Sequence, residues 1–429
     1  MAGLRSTIAR LDRLKRRFQD KLSRATQKTP EALGARRLRE TADFGANPGS
    51  LRMFVYSPTH LPPNPALVVA LHGCTQTAEA YNHGCGWSDL ADRAGFVVIF
   101  PQQQSSNNAK NCFSWFQPSD TTREQGEALS IRQMIERAAI DFHIDRSRIF
   151  VSGLSAGGAM ASAMLATYPE VFAGGAIIAG LPYGCAASVQ EAFEAMFNTA
   201  SMPSRVLGDR VRAAAGHDGP WPTISVWYGT ADSIVKPANA ENTVRQWINV
   251  HGLAARPSRV ETSSVHTRRS WKDANGVTLV EAFTLPGMAH GVPISRTGAG
   301  ACGAAGPFFL DVGISSTYRI ASFWGLVDAT TNAGAIALSA PPVQTNTRQL
   351  EVVTSADTEI APSKTPDDAH TGAHQPPYPE LDPNAVIAAA FKAAGLPEPE
   401  LGGHQSGSRK VAPGPIIQAA LEAAGLTSR

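Results

Sequence analysis

Short apolar runs that do not alternate with polar residues recur between residues 50 and 327. Leu67-Val68-Val69-Ala70-Leu71 is one, closed by His72-Gly73. Phe96-Val97-Val98-Ile99-Phe100 is another, stopped by Pro101; Arg148-Ile149-Phe150-Val151 and the runs 175–179 and 224–228 follow. A strand with one wet face alternates, so a strand that does not is covered on both faces, as in a parallel sheet. Helix-period segments lie between the runs, at about 87–94, 124–142, 156–167 and 239–250. This alternation predicts an α/β fold with a mostly parallel central sheet flanked by helices. A chain of 429 residues has room for one such domain with appendages, or for two domains.

The run 148–151 leads into Val151-Ser152-Gly153-Leu154-Ser155-Ala156-Gly157-Gly158. G-x-S-x-G alone is a common chance pattern. Here an apolar strand precedes it and an Ala/Met-rich helix follows, over 156–167. A strand-to-helix turn holds the residue at its tip in a strained conformation, with the hydroxyl above the sheet. Gly153, Gly157 and Gly158 let the helix return close to the strand. The helix N-terminus then aims its N–H groups and positive dipole end at the reacting centre. Ser155 is therefore the candidate nucleophile.

A serine hydroxyl needs a base. In this architecture the chain order is serine, acid, histidine. Asp232 closes the turn Gly229-Thr230-Ala231-Asp232 after the strand at 223–228, whereas Asp209 and Asp218 precede that strand. His290 lies in Pro286-Gly287-Met288-Ala289-His290-Gly291, after the strand-like 277–285. His217, His251 and His266 lack such a setting. His290 would take the serine proton and pass it to the leaving alcohol, with Asp232 holding its tautomer. The oxyanion needs two N–H donors. Ala156, next after the nucleophile, would supply one, and Cys74, in the loop His72-Gly73-Cys74-Thr75-Gln76, the other. For the Cys74 side chain, a packed thiol and a loop disulfide both stay open.

Net charge is +2, from 38 Lys/Arg and 36 Asp/Glu, which predicts no nucleic-acid partner. The balance is uneven, with an excess of basic residues in 1–40. There Leu4, Ile8, Leu11, Leu14, Phe18 and Leu22 mark one helix face and Arg10, Arg13, Arg16, Arg17, Lys21 and Arg24 crowd the rest. Segment 1–45 thus reads as a basic amphipathic helix, either docked on the domain or laid on a membrane or polymer-granule surface. Residues 46–330 form the expected catalytic domain. Segment 331–383 is rich in Pro, Thr, Ser and Asp and reads as a disordered linker. In 384–429, Val386-Ile-Ala-Ala-Ala-Phe-Lys-Ala-Ala-Gly-Leu396 recurs as Ile416-Ile-Gln-Ala-Ala-Leu-Glu-Ala-Ala-Gly-Leu426. These are two short Ala-rich helices that need a surface to pack on. The five cysteines form no C-x-x-C, so no structural zinc site is expected. No secretory h-region is visible, and a cytoplasmic protein, granule-associated or free, is the expectation.

With these residues placed, Leu71-His72-Gly73-Cys74-Thr75-Gln76, Gly153-Leu-Ser-Ala-Gly-Gly-Ala-Met160, Tyr228-Gly-Thr-Ala-Asp232 and Gly287-Met-Ala-His-Gly291 together resemble the polyhydroxybutyrate (PHB) depolymerase family of esterases. These are α/β-hydrolases related to feruloyl and acetylxylan esterases. The likeness spans about 50–327. It implies cofactor-free ester hydrolysis, with Ser155, Asp232 and His290 as the triad and Cys74 and Ala156 as oxyanion donors. The stretch 111–116 is similar to the family's segment near the substrate groove, and Trp87, Trp115 and Phe116 are candidate groove residues. Secreted relatives carry a signal peptide and often a binding domain larger than these C-terminal repeats. The expectation here is hydrolysis of a polyhydroxyalkanoate or its oligomers inside the cell. The alternatives are an esterase for feruloyl or acetyl groups on sugars, and a granule- or surface-binding protein with secondary esterase activity.

Overall fold

The computed structural model describes residues 37–199 and 201–328. The amphipathic helix expected before residue 37 and the linker and helical repeats expected after 328 lie outside the described residues.

A ten-stranded sheet organises the molecule, in the order β1-β2-β4-β3-β5-β6-β7-β10-β9-β8. Its middle is β4 (Val97–Gln102), β3 (Leu67–Leu71), β5 (Ile149–Leu154), β6 (Gly174–Ile178), β7 (Thr223–Gly229) and β10 (Thr278–Leu285), all parallel. Every residue of β3, β5 and β6 is buried, as the unbroken apolar runs require. The pleat sends successive side chains to opposite faces. Leu67, Val69 and Leu71 enter the core shared with the helices Gly126–Asp141, Ala156–Thr167 and Ala238–Val250. Val68 and Ala70 enter the second core, with the helices Ala78–Cys85, Trp87–Ala94 and Ser316–Phe323.

Antiparallel strands extend both edges: β1 (Arg39–Thr41) and β2 (Arg52–Tyr56) on one side, β9 (Thr267–Lys272) and β8 (Arg259–Thr262) on the other. Strand β1 corrects the expected domain boundary. It pairs with β2, and Arg37 bridges Asp89 and Asp92 at 2.5 Å each. Residues 37–45 thus belong to the catalytic fold and not to a separate N-terminal segment. A small parallel pair, β11 (Val292–Ile294) with β12 (Phe309–Asp311), follows the last strand of the main sheet.

Candidate active site

The chain leaves β3 for β4 on one side and reaches β5 on the other. Connections that part in this way open a crevice beyond the carboxyl ends of the strands, where ligands bind in open α/β sheets. The loop after β3 carries Cys74, and the turn after β5 carries Ser155.

Ser155 has φ 58° and ψ −118°, outside the regions open to L-residues without strain. It sits between β5 and the helix Ala156–Thr167, and its N–H donates to Ile178 O at 2.9 Å. The glycines around it are steric necessities. A Cβ on Gly153 would stand 2.2 Å from Gly157 O, and one on Gly157 would stand 2.3 Å from Leu71 O and 2.5 Å from His72 O. The helix Ala156–Thr167, strand β5 and the loop after β3 approach as backbones, with no space for a side chain between them.

Asp232 and His290 follow β7 and β10, two neighbouring parallel strands. His290 Nδ1 is 2.7 Å from Asp232 Oδ2. Asp232 Oδ1 accepts the N–H groups of Ile234 and Val235, both at 2.9 Å, so the carboxylate is held from two sides. The two turns interlock. Ala231 N–H donates to Met288 O, Thr230 N–H to Leu285 O, and Gly287 N–H to Thr230 Oγ1. A Cβ on Gly229 would lie 2.1 Å from Met288 O. The edge of Phe308 meets the His290 ring at 6.0 Å between centroids, and Phe308 itself has φ 65°. Asp232 is 3% exposed, His290 7% and Ser155 8%, so all three side chains are buried.

Cys74 is bonded to Cys112, which resolves the open alternative for its side chain. The disulfide packs with Ala156 and with half-buried Trp115, so both expected oxyanion donors and one expected groove residue meet in one cluster. Phe116 stands edge-on to Trp115 at 5.4 Å. Trp87 is a correction. It is 1% exposed, stacked on Trp324 at 5.8 Å and edge-on to Phe96, in the core shared with the helices Ala78–Cys85 and Ser316–Phe323. His217, His251 and His266 bond elsewhere, to Pro220 O, Pro222 O and Ser263.

Three polar residues around the oxyanion loop were not singled out in the sequence. His72 is buried, and burial lowers its pKa to about 4, so the ring is neutral. Gln103 follows β4 and Glu127 opens the helix Gly126–Asp141; both are buried. Burial, with Asp120 close by, pushes the Glu127 carboxyl up to about 8. The only signal for them in the sequence is position: a glutamine at a strand's carboxyl end and a glutamate in a first helical turn.

A family model described as Esterase PHB depolymerase matches residues 54–266. Poly(3-hydroxyalkanoate) depolymerase C of Paucimonas lemoignei is 48% identical over 292 residues, 68% of this chain and 70% of that protein. The chain belongs to the esterase PHB depolymerase family. An acetylxylan esterase of Coprinopsis cinerea is 35% identical over 280 residues, 64% of this chain and 74% of the relative. Feruloyl esterase B of Talaromyces stipitatus is 31% identical over 265 residues, 60% of this chain and 72% of the relative. Among solved structures, the acetyl xylan esterase from Aspergillus awamori superposes with a TM-score of 0.58 at 25% identity, covering 68% of this chain and 99% of that one. The fold is that of an α/β-hydrolase, and this member of the esterase PHB depolymerase family is a carboxylic ester hydrolase.

Proposed function

We propose that Ser155, His290 and Asp232 hydrolyse esters through an acyl-enzyme, and that the ester is a polyhydroxyalkanoate or its oligomers. The 2.7 Å contact between His290 and Asp232, at the same sheet end as a serine held at positive φ, carries this reading. Ser155 Oγ attacks the ester carbonyl carbon while His290 Nε2 takes the hydroxyl proton. The N–H groups of Ala156 and Cys74 receive the oxyanion. The tetrahedral adduct collapses, the C–O bond to the alcohol breaks, and His290 returns the proton to the leaving alkoxide. Water then repeats the sequence on the acyl-serine, releasing the acid and restoring Ser155. Asp232 keeps the proton on Nδ1 and stabilises the imidazolium.

The family model ends at residue 266, so the role of His290 rests on the geometry and not on that match. The substrate rests on the depolymerase relative. The expected outcome for Ser155→Ala is loss of p-nitrophenyl butyrate hydrolysis with an unchanged circular dichroism spectrum; retained turnover removes the assignment. A panel of amorphous polyhydroxybutyrate, its oligomers, methyl ferulate and acetylated xylan, ranked by kcat/KM, decides the acyl group. Granule or membrane contact through 1–40 and 384–429 is proposed from the sequence pattern. Deleting either segment would reduce sedimentation with polymer particles but not small-ester turnover. A cytoplasmic location is proposed on the sequence alone and is tested by fractionation. The Cys74–Cys112 disulfide, which a reducing cytoplasm does not sustain, weighs the other way.

A further inference from the structure

Glu127 is a buried carboxyl group that the reaction does not use, and it stands behind both walls of the site. Only 2% of it is exposed. Its Oε2 accepts the Ser114 N–H at 2.9 Å, and its Oε1 accepts Gln103 Nε2 at 2.5 Å. The same Gln103 amide donates to Cys112 O at 3.2 Å, so one side chain reaches both Glu127 and the disulfide-bearing segment. Gln103 also donates its backbone N–H to His72 Nε2 at 3.1 Å. That bond requires a bare Nε2, which puts the ring proton on Nδ1. Nδ1–H then donates to Gly73 O at 2.8 Å.

This last contact bears on catalysis. Gly73 C=O and Cys74 N–H are the two ends of one planar trans peptide and point in opposite directions. Turning the carbonyl onto His72 turns the N–H the other way. The orientation of the expected oxyanion donor is thus set by a relay from Cys74 through His72 and Gln103 to Glu127. The second wall is tied to the same carboxyl group, through Ser114 N–H next to Trp115. Phe113, just before Ser114, packs on the His72 ring at 4.9 Å.

We propose that Glu127 is a positioning residue for the ester-hydrolysis step, holding the Cys74 oxyanion loop and the Trp115 wall in one geometry through Gln103, His72 and Ser114. A carboxyl group suits this place because two separate N–H donors converge on it, one at each oxygen. Its two oxygens accept both, whereas an amide has one oxygen and would turn an NH2 group toward the other donor. The proposal rests on the reading of Cys74 as an oxyanion donor.

The test compares the full chain with Glu127→Gln and Gln103→Met, measuring kcat and KM on p-nitrophenyl acetate and on a 3-hydroxybutyrate oligomer, with thermal melting alongside. A misaimed donor is lost in the transition state but not in the bound substrate. The expected result is a kcat lower by about 10- to 100-fold on both esters. KM for the short ester is expected to stay within about twofold, and KM for the oligomer to rise as the Trp115 wall shifts. Gln103→Met removes the side-chain bonds to Glu127 and Cys112 O, keeps the backbone N–H bond to His72, and is expected to reproduce the kcat loss. Unchanged kcat and KM per folded enzyme in both variants, with only a lower melting temperature, overturns the proposal and leaves a packing role. Ser155→Ala run in parallel separates the two failures. Retained turnover there removes the serine-centred reading itself, whereas its loss beside an active Glu127→Gln removes only the positioning role.

Discussion

At Asp232 the two carboxylate oxygens have different tasks, and that makes one substitution informative. Oδ1 accepts two backbone N–H groups and Oδ2 faces His290 Nδ1. In Asp232→Asn the single oxygen stays with the two N–H groups, so the amide nitrogen turns to the imidazole. Nδ1 must then accept, the ring proton moves to Nε2, and His290 loses the lone pair that takes the serine proton. The expected loss in kcat is about ten-thousand-fold with KM little changed, read by steady-state kinetics at pH 7. A loss under tenfold would mean that the tautomer does not matter. Gly157 gives a second test. A methyl there has no route away from the carbonyls of Leu71 and His72, because both are backbone. Gly157→Ala is expected to cost about 1–3 kcal/mol or more and to lower activity as the oxyanion loop is displaced. Urea unfolding measures the first effect and p-nitrophenyl butyrate turnover the second. Both residues were legible because each sits in a turn that follows a readable strand. Trp87 was not, because a sequence shows that an aromatic is present but not how deep it lies.

The elements divide in the same way. The parallel strands stand out because burial on both faces forces unbroken apolar runs. β8 and β9 carry Arg259, Glu261, Arg268 and Arg269, joined by ion pairs at the sheet edge, and leave no such run. β2 alternates between half-buried and buried positions, a weaker signal over five residues. The loops were legible only as loops. Nothing in the spacing of Cys74 and Cys112 shows that the loops after β3 and β4 close on each other. That disulfide spans 38 residues. In the chain-entropy account a link of this span contributes about 4 kcal/mol. Cys112→Ser is expected to lower the urea midpoint accordingly, and added reductant is expected to shift the parent protein toward the variant. Identical midpoints for parent and variant under oxidising conditions would mean that the bond contributes nothing to stability.

Across the whole molecule, buried ionisable groups set how stability varies with pH. Burial lowers His72 and His251 to about 4, while the unfolded chain binds these protons near 6.5. Between those values the unfolded state holds more protons, so stability falls as pH drops from about 6.5 through 4. Glu127 acts in the opposite sense. Its carboxyl is raised to about 8, so the folded state holds a proton that the unfolded state has released above about 4.5. That contribution is complete at low pH and is lost as pH rises through 8. In the overlap, two histidines oppose Glu127, and above 6.5 only the carboxyl effect persists. The melting temperature should therefore peak near pH 6 to 6.5 and decline on both sides. His251→Gln, whose amide can still donate to Pro222 O, is expected to flatten the acid limb. Glu127→Gln is expected to flatten the alkaline limb between pH 6.5 and 8. A melting temperature that rises steadily from pH 5 to 8 in the parent protein would show that Glu127 is ionised in the folded state. The two N–H donors that converge on it would then outweigh its burial.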